Sequence, residues 1–278
     1  MLSGRAQVLG VIGYPISHSL SPRMHNAAFA ASGLDYVYVP LEVRPERLPA
    51  AIEGTAALGF RGFNVTMPHK ESILPLLDEV EETARIVGAV NTVVVEEGCL
   101  RGLNTDGSGF VEACRVAVVD LAGRRVLILG AGGAAAAIAC ALIGEGVAEI
   151  KILNRNASRA ERLRDRLASL GSGVEISAGS LDGMAENVSN ADIIVNATYL
   201  GMKDEDELPF PAGYIEGGKV VCDAVYRVGL ETKLIQLARE AGALVVPGDR
   251  MLLYQGVQAQ RLWTGREPDV EAMNDALA

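Results

Sequence analysis

From Val126 to Ile143 the chain carries no charged side chain, and the run is interrupted only by Gly130, Gly132 and Gly133. An uncharged stretch of this length approaches a short membrane-spanning helix. The glycines, coming after a β-branched and leucine-rich opening, instead describe a buried strand, a tight turn and a buried helix. Such a unit belongs to a soluble core. Glycines at a strand-to-helix junction let the backbone approach a pyrophosphate, and the free N–H groups and positive dipole end of the helix bind the anion. Gly130, Ala131, Gly132, Gly133 and Ala134 are therefore candidate diphosphate contacts. A tight turn with no ligand is the alternative reading of the same residues.

The next strand, Glu149–Leu153, ends in Asn154-Arg155-Asn156-Ala157-Ser158-Arg159. A fold that binds NAD usually carries an acidic residue here for the ribose 2′-hydroxyl. None is present. Arg155 and Arg159 can instead form charge-assisted bonds with a 2′-phosphate, and Asn156 can donate to it. Read without a ligand, they are solvated arginines at a helix N-terminus, where each opposes the helix dipole at a cost of ~0.3–1 kcal/mol. A bound phosphate removes that conflict, which favours NADP.

The rest of the chain fits two α/β domains. In the first hundred residues, strand-like runs (Gln7–Gly13, Tyr36–Pro40, Gly62–Thr66, Ala89–Glu96) alternate with helix-like ones (Ser21–Ser32, Arg47–Leu58, Lys70–Val80). This predicts a mostly parallel sheet covered by helices. A second set of strands starts at Arg125, followed by a helical tail from Gly248 to Ala278. The expected division is residues 1–105 with 248–278 as a substrate domain, and 106–247 as a Rossmann-type domain, with an active site in the cleft between them.

The net charge of −10 argues against a nucleic-acid partner, which needs a basic face. Anionic ligands must then be held by locally placed donors. His18, His25 and His69 show no metal-ligand spacing, so no metal is expected. Cys99, Cys114, Cys140 and Cys222 form no CxxC pair and read as reduced thiols. Met1–Val8 does not read as a secretory leader.

Three clusters in the first domain carry polar residues in loops: Ser17-His-Ser19-Leu-Ser21-Pro, Asn64-Val-Thr66 through Lys70-Glu71, and Asn91-Thr92 with Asn104-Thr105-Asp106-Gly107. Taken singly, each has a bland reading. The serines are turn residues, with Ser21 as the N-cap of the helix after Pro22; Lys70 is a lysine at a helix start, and Asp106 an N-cap. Taken together, with Gly130-Ala-Gly-Gly, Asn154-Arg155, Asn196-Ala-Thr198, Asp223 with Tyr226, and Met251-Leu252 with Gln255, they resemble the shikimate dehydrogenase family over nearly the whole chain.

The resemblance implies an NADP-dependent oxidoreductase that reduces 3-dehydroshikimate to shikimate in aromatic amino-acid synthesis. It implies a cytoplasmic enzyme, monomeric or homodimeric, with no membrane partner. Ketone reduction needs hydride on carbon and a proton on oxygen. In the family a lysine and an aspartate flank the reacting oxygen, and they map to Lys70 and Asp106. An ion pair favours the charged form of Lys70 and desolvation disfavours it, so the sequence leaves open which of the two carries the proton. Ser17 and Ser19 would hold the substrate carboxylate with Tyr226 nearby, and Thr66, Asn91 and Gln255 the ring hydroxyls. Asn154, Thr198, Ala224, Gly248 and Glu82 would lie near the cofactor, Glu82 with no chemical role assigned.

Five positions depart from the family pattern: Asn156, Tyr199, Ala224, the turn Tyr226-Arg227-Val228, and Arg250 where glycine is usual. Arg250 is expected to reach solvent or the cofactor diphosphate. The rival readings are a quinate/shikimate enzyme with relaxed substrate or NAD use, a non-catalytic NADP sensor, and a folate-type dehydrogenase. The last gives no reason for the Ser17/Ser19 pair.

Overall fold

The computed structural model describes residues 2–277 apart from Ser172, Asp204 and Asp206. The chain divides into two compact units, Met1–Asp106 with Leu253–Ala278, and Gly107–Leu252.

The first unit contains β1 (Gln7–Gly13), α1 (Ser21–Ala31), β2 (Tyr36–Glu42), α2 (Leu48–Ala57), β3 (Gly62–Val65), β4 (Glu79–Val80), α3 (Glu82–Val87), β5 (Thr92–Glu96) and β6 (Cys99–Leu103). Their sheet order is β2-β1-β3-β5-β6-β4. The sheet is mixed: β1 pairs in parallel with β2 and β3, and β4 with β6, whereas β5 runs antiparallel to β3 and β6. The antiparallel pair follows from a two-residue turn, Glu97-Gly98, in which both φ angles are positive (52° and 83°). That is the backbone twist of a tight hairpin.

Strand alternation assigns the two sheet faces to two cores. Val93 and Val95 of β5 pack with Ile12, Ile52, Phe63 and Ile73, while Val94 packs on the other side with Leu9, Val11, Phe29 and Trp263. Each such side chain contributes about 1.5–3 kcal/mol on burial.

The second unit takes up the chain within α4 (Asp106–Val116). It continues through β7 (Arg125–Leu129), α5 (Gly133–Gly144), β8 (Glu149–Leu153), α6 (Ala157–Ala168), β9 (Glu175–Gly179), α7 (Met184–Asn190), β10 (Ile193–Asn196), β11 (Val220–Asp223), α8 (Lys233–Glu240) and β12 (Leu244–Val246). Every strand pairing is parallel, in the order β12-β11-β10-β7-β8-β9. This is the doubly wound Rossmann arrangement, with its switch point between β7 and β10. The α5 helix is apolar all round and its middle is buried on every face, with Ala135 through Ala139 and Leu142 inaccessible. Among the described residues no helix is long and apolar enough to cross a membrane.

Two C-terminal helices follow, α9 (Gly248–Thr264) and α10 (Val270–Asp275). The part of α9 beyond Leu252 belongs to the first unit, where Trp263 donates its indole N–H to the Val93 carbonyl at 2.9 Å. A side chain on Gly62 would collide with that indole at 2.3 Å, and one on Gly256 would collide with Met24.

Several sequence expectations are corrected. Lys70–Val80 is not a helix but a run of turns with one 3-10 turn at Leu74–Leu76, ending in the short strand β4. Pro75 has no N–H for a helix interior, and its ring clashes with the preceding turn. Ser21 is not the N-cap of α1; Leu20 holds that position, and the Ser21 N–H instead meets the Ser19 hydroxyl at 3.3 Å. The strands β6 and β12 and the helix α3 were not expected from periodicity.

Candidate functional site

In the first unit, the loops after β1 and β3 are knitted together. The Thr66 N–H donates to the Ile12 carbonyl at 2.9 Å and the Tyr14 N–H to the Met67 carbonyl at 3.0 Å. A side chain at Gly13 would strike the Thr66 methyl at 2.5 Å, so the loop bearing Ser17 and Ser19 can close against Thr66 only through a glycine. Ser17 is exposed, and Ser19 and Thr66 are half-buried.

Lys70 ends the second of these loops. Its carbonyl accepts the Val90 N–H at 2.8 Å, which ties it to the segment carrying Asn91. Its Nζ donates to Asp106 Oδ2 at 2.5 Å. Asp106, the first residue of α4, is 5% exposed, and its other oxygen accepts from Asn91 Nδ2 at 2.7 Å. The Asn91 orientation is unambiguous, because Oδ1 faces the Thr105 backbone N–H at 2.8 Å, a group that can only donate. Nδ2 also lies 3.5 Å from Gln255 Oε1, on α9. Lys70, Asn91, Asp106 and Gln255 thus form one polar cluster: a cation with protons to give, beside a buried carboxylate whose two oxygens are both engaged by donors.

The second unit presents the glycine turn. Gly130 has φ +113°, and a side chain there would lie 2.6 Å from the Ala197 carbonyl; both the dihedral and the close approach require glycine. Gly132 is the N-cap of α5 and makes no side-chain cap, and a Cβ there would meet nothing within 4 Å. The first-turn N–H groups therefore face accessible space with no acidic side chain among them, which suits an anion. After β8, Arg155 and Arg159 are exposed and, among the described residues, form no ion pair. Asn156 caps α6 in position, but its Oδ1 is taken by the Ser158 hydroxyl at 2.7 Å. Asn154 donates to the Asn156 carbonyl at 2.9 Å. These residues fit a dinucleotide carrying a 2′-phosphate: an uncapped helix start for the diphosphate and unpaired guanidinium groups where a carboxylate would repel it.

At the ends of β10 and β11 lies a buried node that the sequence did not reveal. Asn196 Oδ1 accepts from the Thr198 N–H (3.1 Å) and hydroxyl (2.7 Å), and its amide donates to Asp223 Oδ1 at 2.9 Å. Asp223 also accepts from the Val225 N–H at 3.0 Å and the Thr232 hydroxyl at 2.6 Å. Burial outweighs these bonds and pushes the Asp223 carboxyl up to about 6. The node fixes the segment carrying Ala224 and the half-buried Tyr226. A Cβ on Gly248 would lie 2.3 Å from the Val225 carbonyl, so Gly248 and Ala224 are neighbours. Arg250 is half-exposed, with Nη2 3.6 Å from Asp249 Oδ2.

Of the expected site residues, then, four meet directly in the first unit, with Ser17, Ser19 and Thr66 on the adjoining loops. Tyr226 and the expected cofactor residues belong to the second unit, except Glu82, which is exposed at the start of α3 in the first. Asn64, Thr92 and Thr105 stand in the polar clusters quoted from the sequence, but no spacing there assigns them a role; only the structure shows them bonded around Asn91.

A family model described as the shikimate dehydrogenase substrate binding domain matches residues 11–93. One described as shikimate/quinate 5-dehydrogenase matches 112–201, and one described as the shikimate 5′-dehydrogenase C-terminal domain matches 250–278. The shikimate dehydrogenase (NADP+) of Rubrobacter xylanophilus is 59% identical over 278 residues, which cover 100% of this chain and 97% of that protein. A crystal structure of shikimate dehydrogenase in complex with NADP+ superimposes with a TM-score of 0.92 at 41% identity, covering 100% of this chain and 96% of the other. Quinate dehydrogenase from Corynebacterium glutamicum in complex with NAD gives 0.89 at 35% identity, covering 98% of each chain. With identity this high along its full length, the chain belongs to the shikimate/quinate dehydrogenase family.

Proposed function

We propose that this chain catalyses the reversible NADPH-dependent reduction of 3-dehydroshikimate to shikimate, a step toward the aromatic amino acids. The observation that carries the mechanism is the Lys70 ammonium held at 2.5 Å on one oxygen of Asp106 while Asn91 donates to the other. With both oxygens accepting, Asp106 serves as the fixed anion that orients Lys70. One ammonium proton is engaged there, and the others remain for a substrate oxygen. Lys70 is therefore the general acid in reduction, protonating the nascent alkoxide, and the general base in oxidation. When bound, NADPH supplies the hydride.

The other residues hold and orient. Ser17 and Ser19 receive the substrate carboxylate, with Tyr226 contributing a phenol. Thr66, Asn91 and Gln255 match the ring hydroxyls with neutral donors and acceptors, since each buried group left unpaired costs about 1–3 kcal/mol. Gly130–Ala134 receive the diphosphate, while Arg155, Asn156 and Arg159 take the 2′-phosphate with Asn154 bracing the turn. Thr198, Ala224 and Gly248 line the strand ends where the rest of the dinucleotide runs.

All these groups come from one chain, so a monomer or a homodimer serves equally. The four cysteines are free thiols. The hydrogen bond with Cys114, and then burial, push the Cys222 thiol well up, as suits inert thiols in a reducing cytoplasm.

The test is absorbance at the reduced-nicotinamide band with shikimate or quinate, each against NADP and NAD. Turnover is expected with shikimate and NADP. Activity only with quinate and NAD would overturn the specificity, and normal NADPH binding without turnover would replace the enzyme by a sensor.

A further inference from the structure

Behind Asn91, on the side away from Asp106, lies a chain of buried hydroxyl and amide groups that the mechanism above does not use. Tyr38 (1% exposed), Asn64 (6%) and Thr92 (0%) stand on β2, at β3 and at the start of β5. Asn64 and Thr92 are register partners.

The direction of each bond can be read from backbone groups whose roles are fixed. Asn64 Nδ2 lies 3.0 Å from the Asn91 carbonyl oxygen, which can only accept, so this atom is the amide nitrogen. Asn64 Oδ1 must then accept, and it does so from the Tyr38 hydroxyl at 2.7 Å. The same Nδ2 donates to Thr92 Oγ1 at 3.1 Å. Thr92 has one proton, and its nearest acceptor is Asn91 Oδ1 at 2.9 Å, with Thr105 Oγ1 at 3.2 Å.

Asn91 Oδ1 is thus pinned from two sides, by the Thr92 hydroxyl and the Thr105 N–H. Its NH2 is thereby turned toward Asp106 at 2.7 Å, with the Thr105 hydroxyl at 3.0 Å and Gln255 at 3.5 Å as its further acceptors. The relay is braced at its far end, where the Tyr38 ring stacks on His25 with centroids 4.4 Å apart. His25 Nδ1 contacts Gln260 Oε1 at 3.0 Å. Burial lowers His25 to about 4, so the imidazole adds no charge behind the site at neutral pH.

We propose that Thr92 is a positioning residue for the reaction, its hydroxyl, backed by Asn64 and Tyr38, turning the Asn91 amide toward Asp106. The proposal rests on the reading of Lys70 and Asp106 given above. It touches neither substrate nor cofactor, and it explains a threonine where shape alone is met equally by valine, as in the three residues that follow it.

The experiment compares Thr92→Val, which keeps shape and β-propensity but removes the hydroxyl, with Thr92→Ser, which keeps the hydroxyl. Steady-state oxidation of shikimate by NADP is followed across pH. In parallel, hydrogen exchange of the Asn91 side-chain amide is measured by NMR, with that signal identified by its loss in Asn91→Asp. Thr92→Val is expected to lower kcat about tenfold, as misplacement of a catalytic group by a fraction of an ångström does. It should leave the NADP KM unchanged, displace the kcat–pH profile and speed Asn91 amide exchange, and Thr92→Ser should restore most of the rate. Wild-type kcat, pH profile and amide exchange in Thr92→Val would overturn the proposal, and so would a serine variant as impaired as the valine one. If the wild-type chain does not turn over shikimate, the functional reading fails; the amide exchange still decides whether Thr92 holds Asn91.

Discussion

Asp106 in the first unit and Asp223 in the second are both almost fully buried, at 5% and 2% exposed, and both accept a hydrogen bond from an asparagine amide. They differ in their remaining partners. Asp106 has the Lys70 ammonium, itself partly exposed, whereas Asp223 has a threonine hydroxyl and a backbone N–H. A buried carboxylate beside a reachable cation forms a couple that can hand a proton to a ligand. A buried carboxylate among neutral donors fixes a loop. The residue type is the same, and its neighbours decide whether it serves chemistry or architecture.

The largest expected effect separates the two directly. Asp106→Asn sets an NH2 group against either Lys70 or the Asn91 amide, and kcat should fall about 10²–10³-fold. Asp223→Asn can keep its bonds to Asn196 and Val225 and donate to Thr232, so its loss should be far smaller. Equal losses in steady-state assays of the two variants would break the comparison.

Stability against pH sharpens it, because the two units hold buried titrating groups of opposite sign. His25 is lowered from 6.5 to about 4 by burial. The unfolded chain takes up a proton that the folded one refuses, so this contribution is fully present above pH 6.5 and is lost as pH falls toward 4. Asp223 is raised from 3.8 to about 6. Its contribution is fully present below pH 3.8 and is lost as pH rises through 6. Each is worth up to about 3 kcal/mol. Thermal melts from pH 4 to 7 should show His25→Phe flattening the acid-side loss and Asp223→Asn gaining stability near neutrality. Unchanged slopes in both variants would contradict the assigned burial effects.

The smallest effect concerns the cofactor turn. Arg155→Ala or Arg159→Ala should each raise the NADP KM about tenfold, the worth of one partly exposed charge-assisted bond, and leave the NAD KM nearly unchanged. Equal effects on both dinucleotides would remove the 2′-phosphate assignment.

What the sequence disclosed was local. The Val126–Ile143 strand, turn and helix announced themselves because their signals lie within a few residues of one another, as did the missing acid after Leu153. Misreadings arose where one residue overrode a pattern. Pro75 broke an otherwise helical run, and Glu97, a poor candidate for positive φ, made the turn that forms the β5–β6 hairpin. The Asp223 node and the Tyr38–Asn64–Thr92 relay were hidden for another reason. Their members sit on different strands and meet only through sheet register, and no one-dimensional spacing encodes that. The Lys70–Asp106 couple was readable only through family resemblance, since nothing in the loop from Thr66 to Lys70 points to Asp106.

The central claim is that Lys70 carries the proton while Asp106 stays its anchor. Lys70→Ala, assayed with shikimate and NADP, tests it most directly. The account predicts that kcat falls at least about a hundredfold while the shikimate KM moves only a few-fold. Near-normal turnover, or a loss confined to KM, would contradict it.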